Sequence, residues 1–552
     1  MMLFVYFPLI LVSILGYGFF TSIKIIKFNK SNLGYQGIVG IFSLLLISYI
    51  STQFIAHDII FNFSVLIVGL LLFLKNVKKM DITKKSFRLL FLIILLSLIF
   101  ILVGKNHDDF FYYHFPYMVM LTEYPHPIGL GNLNHGFKTH SSIFLLSSLF
   151  HLPGAKYSLF HLGPAYIMIF SNFILLKLIL KKEIVKNNIF ITFLSLASFI
   201  FINIFFYRLG EHGTDRSAMI LIILLFVNLI LFINRNSSSL DNNLLKFLTI
   251  VFTIVVSLKA FYLIYSLLFL PLIFYVYKKN SIKLLFNFNL ILCLVLFTLV
   301  IMTNFFNTGC LIFPEKRTCF VNLSWSIPLE TVEYLRLHYE NWAKAGSGSG
   351  YVNLMDKNEY VKNFNWFNNW VDRYFFNKVS DFFLSLFLIV IIFLFLFKKS
   401  KLHITKKRNF LLLYSIILFI TCVWFMLHPT LRYGGYHLFF LIIFMPLSIY
   451  LEKFSQDIAN LDKKILILVL ITALVFVGRN VSRLTKEKKI YSYNINNKIA
   501  YPIGDDSFEI QKRFSKIIIN TNYCKQKSNK CDEKMYKVKE VFKNKYVIYR
   551  IK

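Results

Sequence analysis

The sequence predicts an all-α polytopic membrane protein of about 14 spans, ending in a small α+β extramembrane region. Three observations carry this. Of 552 residues, 57% are hydrophobic and 16% charged, and mean hydropathy is +0.62. Soluble domains hold about 45–50% apolar and about 25% charged residues. Apolar stretches of near-spanning length recur along the chain, and Lys and Arg cluster between alternate stretches. A water-soluble fold is excluded. With 63 Phe against 22 Gly and 12 Pro, so are disorder and a collagen-like chain. The formal charge of +34 would suggest nucleic acid in a soluble protein. Here it raises the question of which side the cations occupy.

A spanning helix needs about 20 mainly apolar residues. The candidates are 3–20, 37–55, 59–74, 87–104, 158–180, 188–207, 216–233, 284–305, 381–397, 409–427, 433–451 and 464–478. The first has no basic region before it and no small-residue cleavage site, so it reads as a retained span. Lys24, Lys27 and Lys30 follow it. Lys75 to Arg88, Lys177 to Lys186 and Lys398 to Arg408 mark further cation-rich connections, which the positive-inside rule assigns to the cytoplasm. The alternation is complete if the N-terminus is outside. Twenty-seven of the 61 cations then fall in short cytoplasmic connections, so most of the basic excess sets orientation and no nucleic-acid partner is expected.

Residues 247–277 are apolar around Lys259 and are flanked on both sides by cation-rich connections. A single helix cannot start and end on one side. The expectation is a hairpin of two short helices, 247–258 and 261–277, with Lys259 at an outward tip in a watery cavity. The alternative is two ordinary spans with a snorkelling lysine. Both termini, 105–157, 306–380 and the tail 479–552 then lie outward. The tail holds 19 cations and 7 anions, which the charge rule tolerates because long segments translocate regardless of charge. Strands are expected at 491–503 and 546–551 and a helix at 507–520. If 464–478 does not span, the tail is cytoplasmic. Cys310 with Cys319, and Cys524 with Cys531, form two close outward pairs and are expected disulfides; the alternative is four free thiols.

The first outward segment opens with Asp108-Asp109 at a helix exit, in an acid-poor chain, followed by Phe110-Phe111-Tyr112-Tyr113-His114. A carboxylate there can accept a proton from a hydroxyl or hold a cation; the alternative is an Asp pair that simply ends a helix. Residues 125–140 read as a structured Gly/Pro loop, and 141–152 as a helix lying on the membrane surface. Candidate substrate-binding residues are Tyr113, His114, Asn132 and His135 here, with Arg208, His212, Arg216, Lys259 and Arg432 from other outward connections. The cations suit a phosphate or diphosphate; individually each is also an ordinary interfacial anchor. Trp366, Phe367 and Trp370 resemble an aromatic belt.

These features resemble the GT-C superfamily of integral-membrane glycosyltransferases that use polyprenyl-phosphate-linked sugars. Tyr113-His114, Gly129-Leu130-Gly131-Asn132-Leu133 and the series Gly309, Pro314, Trp325, Pro328, Trp342-Ala343 are similar to an uncharacterised group of bacterial multi-spanning membrane proteins allied to that fold. The likeness covers roughly residues 85–450. It implies N-terminal extra spans over 1–86, a GT-C-like core over 87–480 with outward loops 105–157 and 306–380, and a small soluble domain over 481–552. The three spans before the acidic pair depart from the usual arrangement, in which the acidic loop follows the first span.

What the resemblance implies is inverting transfer on the outer face of a bacterial cytoplasmic membrane, from a lipid-linked sugar to a glycan, lipid or protein acceptor. One of Asp108 and Asp109 would be the general base, and Lys259 and Arg432 would hold the lipid phosphate. Some relatives use a divalent metal; no ligand set is assigned here. Two rival readings are a transporter or flippase of a lipid-linked saccharide, which wants polar residues along a path through the bilayer, and a non-catalytic assembly protein. Sparse intramembrane charge favours the enzyme over the flippase.

Overall fold

The computed structural model describes residues 2–28, 32–80, 82–180, 188–211, 213–234, 241–279, 281–352, 354–399, 410–454, 456–492, 501–526 and 536–550. It is a helical bundle in which, among the described residues, ten helices are long and apolar enough to cross a membrane, from Met2–Ile25 to Ile458–Tyr491. Four more apolar segments form the 17-residue helices Lys84–Phe100, Ile189–Phe205, Asn242–Leu258 and Leu411–Leu427. At 1.5 Å per residue each is about 26 Å long, just short of a hydrocarbon core of about 30 Å.

With water absent, helices approach through small residues and pair their polar side chains. The helices Met2–Phe20 and Ile59–Asn76 meet so closely that a Cβ on Gly16 would lie 1.9 Å from the Gly69 carbonyl oxygen. Asn172 and Asn203 exchange two side-chain hydrogen bonds of 3.0 Å between neighbouring helices.

The connections sort to two ends. At one, Lys246 Nζ donates to the carbonyls of Ile26 and Lys27 at 2.6 and 3.1 Å, and Gln456 Nε2 donates to the Phe397 carbonyl at 2.6 Å. At the other, the 105–157 segment, the 306–380 loop and the tail join one another. Gly129 N donates to the Phe306 carbonyl at 2.6 Å, and Ile128 bridges Val547. The described part of the tail therefore stands at the same end as Asp108 and Asp109.

The hairpin around Lys259 is present. The helix Asn242–Leu258 stops, Lys259 is extended at φ −160° and ψ 120°, and a 3₁₀ segment, Ala260–Leu268, leads into the helix Phe269–Lys278.

Two local expectations are corrected. Residues 142–148 are a helix with every residue buried in the protein, not one lying on a membrane surface. The strand expected over 491–503 falls mostly outside the described residues. The helix Ile458–Tyr491 runs on to Tyr491, residues 493–500 lie outside the described set, and 501–504 are irregular. Its buried stripe (Leu468, Thr472, Phe476, Asn480, Arg483, Glu487) keeps helical spacing while changing from apolar to polar. Hydropathy alone ends it at 478. The tail's sheet is a hairpin, β1 Tyr536–Phe542 with β2 Lys545–Arg550, bulged between Glu540 and Phe542, and its helix is Glu509–Gln526. Finally, Trp366 and Trp370 are not a lipid-facing belt. They are 2% and 5% exposed, packed on Phe425.

Of the expected disulfides, Cys310–Cys319 is formed, at an S–S distance of 2.06 Å. The Cys524–Cys531 expectation rests on residues outside the described set.

Candidate functional site

Four charged side chains from four separate segments meet at the loop end of the bundle. Asp109 follows the exit of Lys84–Phe100, and its loop is fastened from two sides. His107 N donates to the Glu211 carbonyl at 3.1 Å. On the other side, Arg483 Nη2 donates to the Leu102 carbonyl and Gly104 N donates to Glu487 Oε2, both at 2.7 Å. Arg483 and Glu487 pair with each other at 2.9 Å, each 5% exposed. Asp215 lies in the first turn of the helix Thr214–Ile233, where the helix dipole favours an anion. Lys259 is the hairpin tip. Arg432 sits in the 3₁₀ turn Leu431–Tyr433, between two apolar helices.

That last turn is held by aromatic side chains. Trp370 Nε1 donates to the Pro429 carbonyl at 2.6 Å, Trp424 Nε1 to the Thr430 carbonyl at 3.1 Å, and Leu431 N to Tyr374 Oη at 2.8 Å. Gly434, at φ +136°, takes a conformation side-chain-bearing residues rarely adopt and turns the chain into the next helix.

The charges form one chain. Arg432 Nη2 is 3.1 Å from Asp109 Oδ2, Arg432 Nε is 3.4 Å from Asp215 Oδ2, and Lys259 Nζ is 2.5 Å from Asp215 Oδ1. Tyr433 lies beneath both cations, with Lys259 Nζ 4.3 Å and the Arg432 guanidinium carbon 5.3 Å from its ring centre. Burial works against the charge on Arg432, but Asp215, then Tyr433 and Asp109, outweigh it and hold its pKa above the ordinary value. Asp108 differs from its neighbour. It is 85% exposed and among the described residues pairs only with Lys105, at 3.1 Å, whose hydrogen bond lowers its pKa.

Two cavities share this chain as a wall. The first, of about 400 Å³, is polar. Lys105, Arg208, Arg216, Lys378 and Arg432 line it, facing Asp108, Asp109, Glu211 and Asp215. The second, of about 490 Å³, is aromatic. Tyr112, Tyr113, Phe261, Tyr339, Trp342 and Tyr433 line it, with His135, His338 and His428. Asp109, Thr214, Asp215 and Arg432 border both. No Leu, Ile, Val or Met lines either cavity among the described residues.

Most residues expected from sequence fall here, in distinct places. Arg208 lines the polar cavity and pairs with Glu211 at 2.6 Å, and Arg216 lines it as well. His114 is 2% exposed, wedged against Tyr113 and Phe144 at the polar cavity's edge. Tyr113 and His135 line the aromatic cavity, and His135 Nε2 meets Tyr339 Oη at 3.2 Å. Asn132 lines neither. Its Nδ2 donates to the Trp325 carbonyl at 2.9 Å and ties two loops together. His212 lies outside the described residues. Asp215, His107, His338 and Tyr339 are the residues sequence reasoning did not select. For Asp215 a signal existed: a carboxylate opening a span in a chain with only 27 acidic residues.

His107 settles a local proton question. Asp109 N donates to His107 Nδ1 at 3.1 Å, so that nitrogen carries a lone pair. Burial lowers the His107 pKa, keeping the ring neutral. For a metal, no group of three His, Cys, Asp or Glu side chains converges among the described residues.

No curated protein and no solved structure matches the chain. One family model does, over residues 1–440, a stretch that contains Asp109, Asp215, Lys259 and Arg432. The protein belongs to the family described as Domain of unknown function (DUF8201).

Proposed function

We propose that the chain crosses a bacterial cytoplasmic membrane fourteen times and transfers a sugar, with inversion, from a polyprenyl-phosphate carrier to an envelope glycan, lipid or protein acceptor on the outer face. The single observation that carries this is the position of Asp109 where a cation-lined chamber meets an aromatic one. Transfer of this kind needs a base beside an acceptor hydroxyl and positive charge beside the leaving phosphate. The Asp109 carboxylate takes the proton as the acceptor oxygen bonds to the anomeric carbon. The bond from that carbon to the phosphate oxygen breaks, and its electron pair stays on the phosphate. Arg432, Lys259 and the cations of the polar chamber receive that charge, Arg as a bidentate fork and Lys as a point charge.

Arg432 also supplies an order of events. It pairs with Asp109 at 3.1 Å, and a phosphate oxygen competes with that carboxylate for the same guanidinium. Donor binding then loosens the base for the acceptor. Asp108, exposed and paired with Lys105, plays no part in the chemistry under this reading. No step is routed through a metal.

The test is transfer of radiolabelled sugar from a lipid-linked donor in membranes of a host lacking its own copy. Asp109→Asn loses about 100-fold or more of the rate, the range for a general base. Asp108→Asn stays within a few-fold of wild type. Wild-type glycan from Asp109→Asn at normal protein level overturns the proposal.

A further inference from the structure

We infer that the aromatic chamber and the helix face leading out of it form a track for a neutral oligosaccharide, the acceptor chain whose end hydroxyl meets Asp109. The direction of the chain along the track rests on the transfer reading; the binding chemistry does not.

The track lies on the helix Leu329–Lys344. Trp342, His338 and Tyr334 follow one another at four-residue spacing, so they share one face and step about 6 Å per turn. Ring centres are 5.8 Å apart between Trp342 and His338, and 6.2 Å between His338 and Tyr334, whose planes differ by 10°. Trp342 and His338 line the chamber. Tyr334 stands outside it, 52% exposed, with Lys357 over its ring at 4.8 Å. A row of rings thus runs from the chamber wall to open surface.

The chemistry of the lining selects the ligand. A lipid tail or an apolar peptide wants aliphatic neighbours, and the chamber has no Leu, Ile, Val or Met among the described residues. Its rings instead carry polar edges. Tyr339 Oη meets His135 Nε2, and Tyr351 Oη meets His338 Nδ1 at 2.9 Å. His428 lines the chamber too, and its Nδ1 is buried with no hydrogen-bond partner among the described residues. Sugar rings match this pairing of flat apolar faces with hydroxyl-bonding edges. The imidazoles add no charge: burial takes His135 and His428 to about 4 and lowers His338. Within the chamber, formal charge is confined to the shared wall and Lys259, which suits a neutral chain.

The experiment is saturation-transfer NMR on the full chain in phospholipid nanodiscs. The probes are cello-, chito-, malto- and mannotetraose and the matching disaccharides. At least one tetrasaccharide binds, and more tightly than its disaccharide. Tyr334→Ala weakens that tetrasaccharide about five-fold, the worth of one aromatic contact, and leaves the disaccharide unchanged. Tyr334→Phe restores the difference, and Trp342→Ala weakens both ligands. Absence of binding by all four tetrasaccharides overturns the inference, as does a length preference that survives Tyr334→Ala. If length-dependent binding holds while Asp109→Asn still makes wild-type glycan, the track stands and the transfer reading fails.

Discussion

The clasp between Arg483 and Glu487 allows a quantitative test that needs no substrate. Glu487→Ala removes the countercharge of a guanidinium that is 5% exposed and takes the acceptor from the Gly104 amide. Arg483 keeps its bonds to the Leu102 carbonyl and to Asn480 Oδ1, but its charge is left buried and uncompensated. Breaking one side of a buried pair costs about 3–5 kcal/mol, so we expect about 4 kcal/mol, or roughly a thousand-fold in the folding constant. Replacing both partners, Arg483→Leu with Glu487→Leu, removes the charge and its desolvation together but leaves the Gly104 amide and the Leu102 carbonyl unpaired at about 1 kcal/mol or more each, so the loss is about 2–3 kcal/mol, smaller than for the single variant. Breaking the exposed Lys316–Glu333 pair, whose side chains are 50% and 54% exposed, costs below about 1 kcal/mol. Reversible unfolding by SDS titration in mixed micelles reads all three. A loss below about 1 kcal/mol for Glu487→Ala, or a double variant weaker than the single one, refutes the reasoning.

Two further outcomes are expected. Burial lowers the His107 pKa below its ordinary 6.5. The unfolded chain therefore binds the extra proton first, and this residue's contribution to stability is full above 6.5 and lost as pH falls below it. Protonation also ends the Asp109 N–H bond to Nδ1, so transfer activity should fall on the acid side. His107→Asn should flatten that limb, and a wild-type limb unchanged by the substitution counts against the assignment. Gly434→Ala places a side chain at φ +136°, where the nearest atom to the new Cβ is 3.5 Å away. The cost is therefore backbone strain without a clash, about 1–3 kcal/mol; thermal melting checks it, and a neutral substitution removes the argument.

The sequence shows the bundle and its two ends because lipid-length apolar runs and lysine clusters are written locally. It also shows the Lys259 hairpin, since one cation inside an apolar run flanked by cytoplasmic-type connections leaves few geometries. It does not show where the last helix stops. From Asn480 onward that helix buries one amide and a charge pair in place of Leu and Phe, and hydropathy cannot tell such a stripe from solvent-facing sequence. Asp109 and Asp108 are indistinguishable as a dipeptide. Only the fold separates them, by turning one toward Arg432 and the other toward water. Arg432 and Asp215 are 217 positions apart, and their pairing depends on helix order that no local pattern encodes. Trp366 and Trp370 read as membrane anchors because they flank a span; the packing of Trp366 on Phe425 and the bond from Trp370 to the Arg432 turn are tertiary properties.

The long final helix has a consequence for biogenesis. Gly104 and Glu487 are 383 residues apart, so the ribosome adds all of the intervening chain before this latch on the loop bearing Asp109 can close. A nascent chain already inserted through residue 440 has all four charged residues and the His107–Glu211 bond on one side of that loop, but not the Arg483 and Glu487 bonds on the other. The second fastening of the Asp109 loop is thus made only by a segment synthesised 383 residues after Gly104.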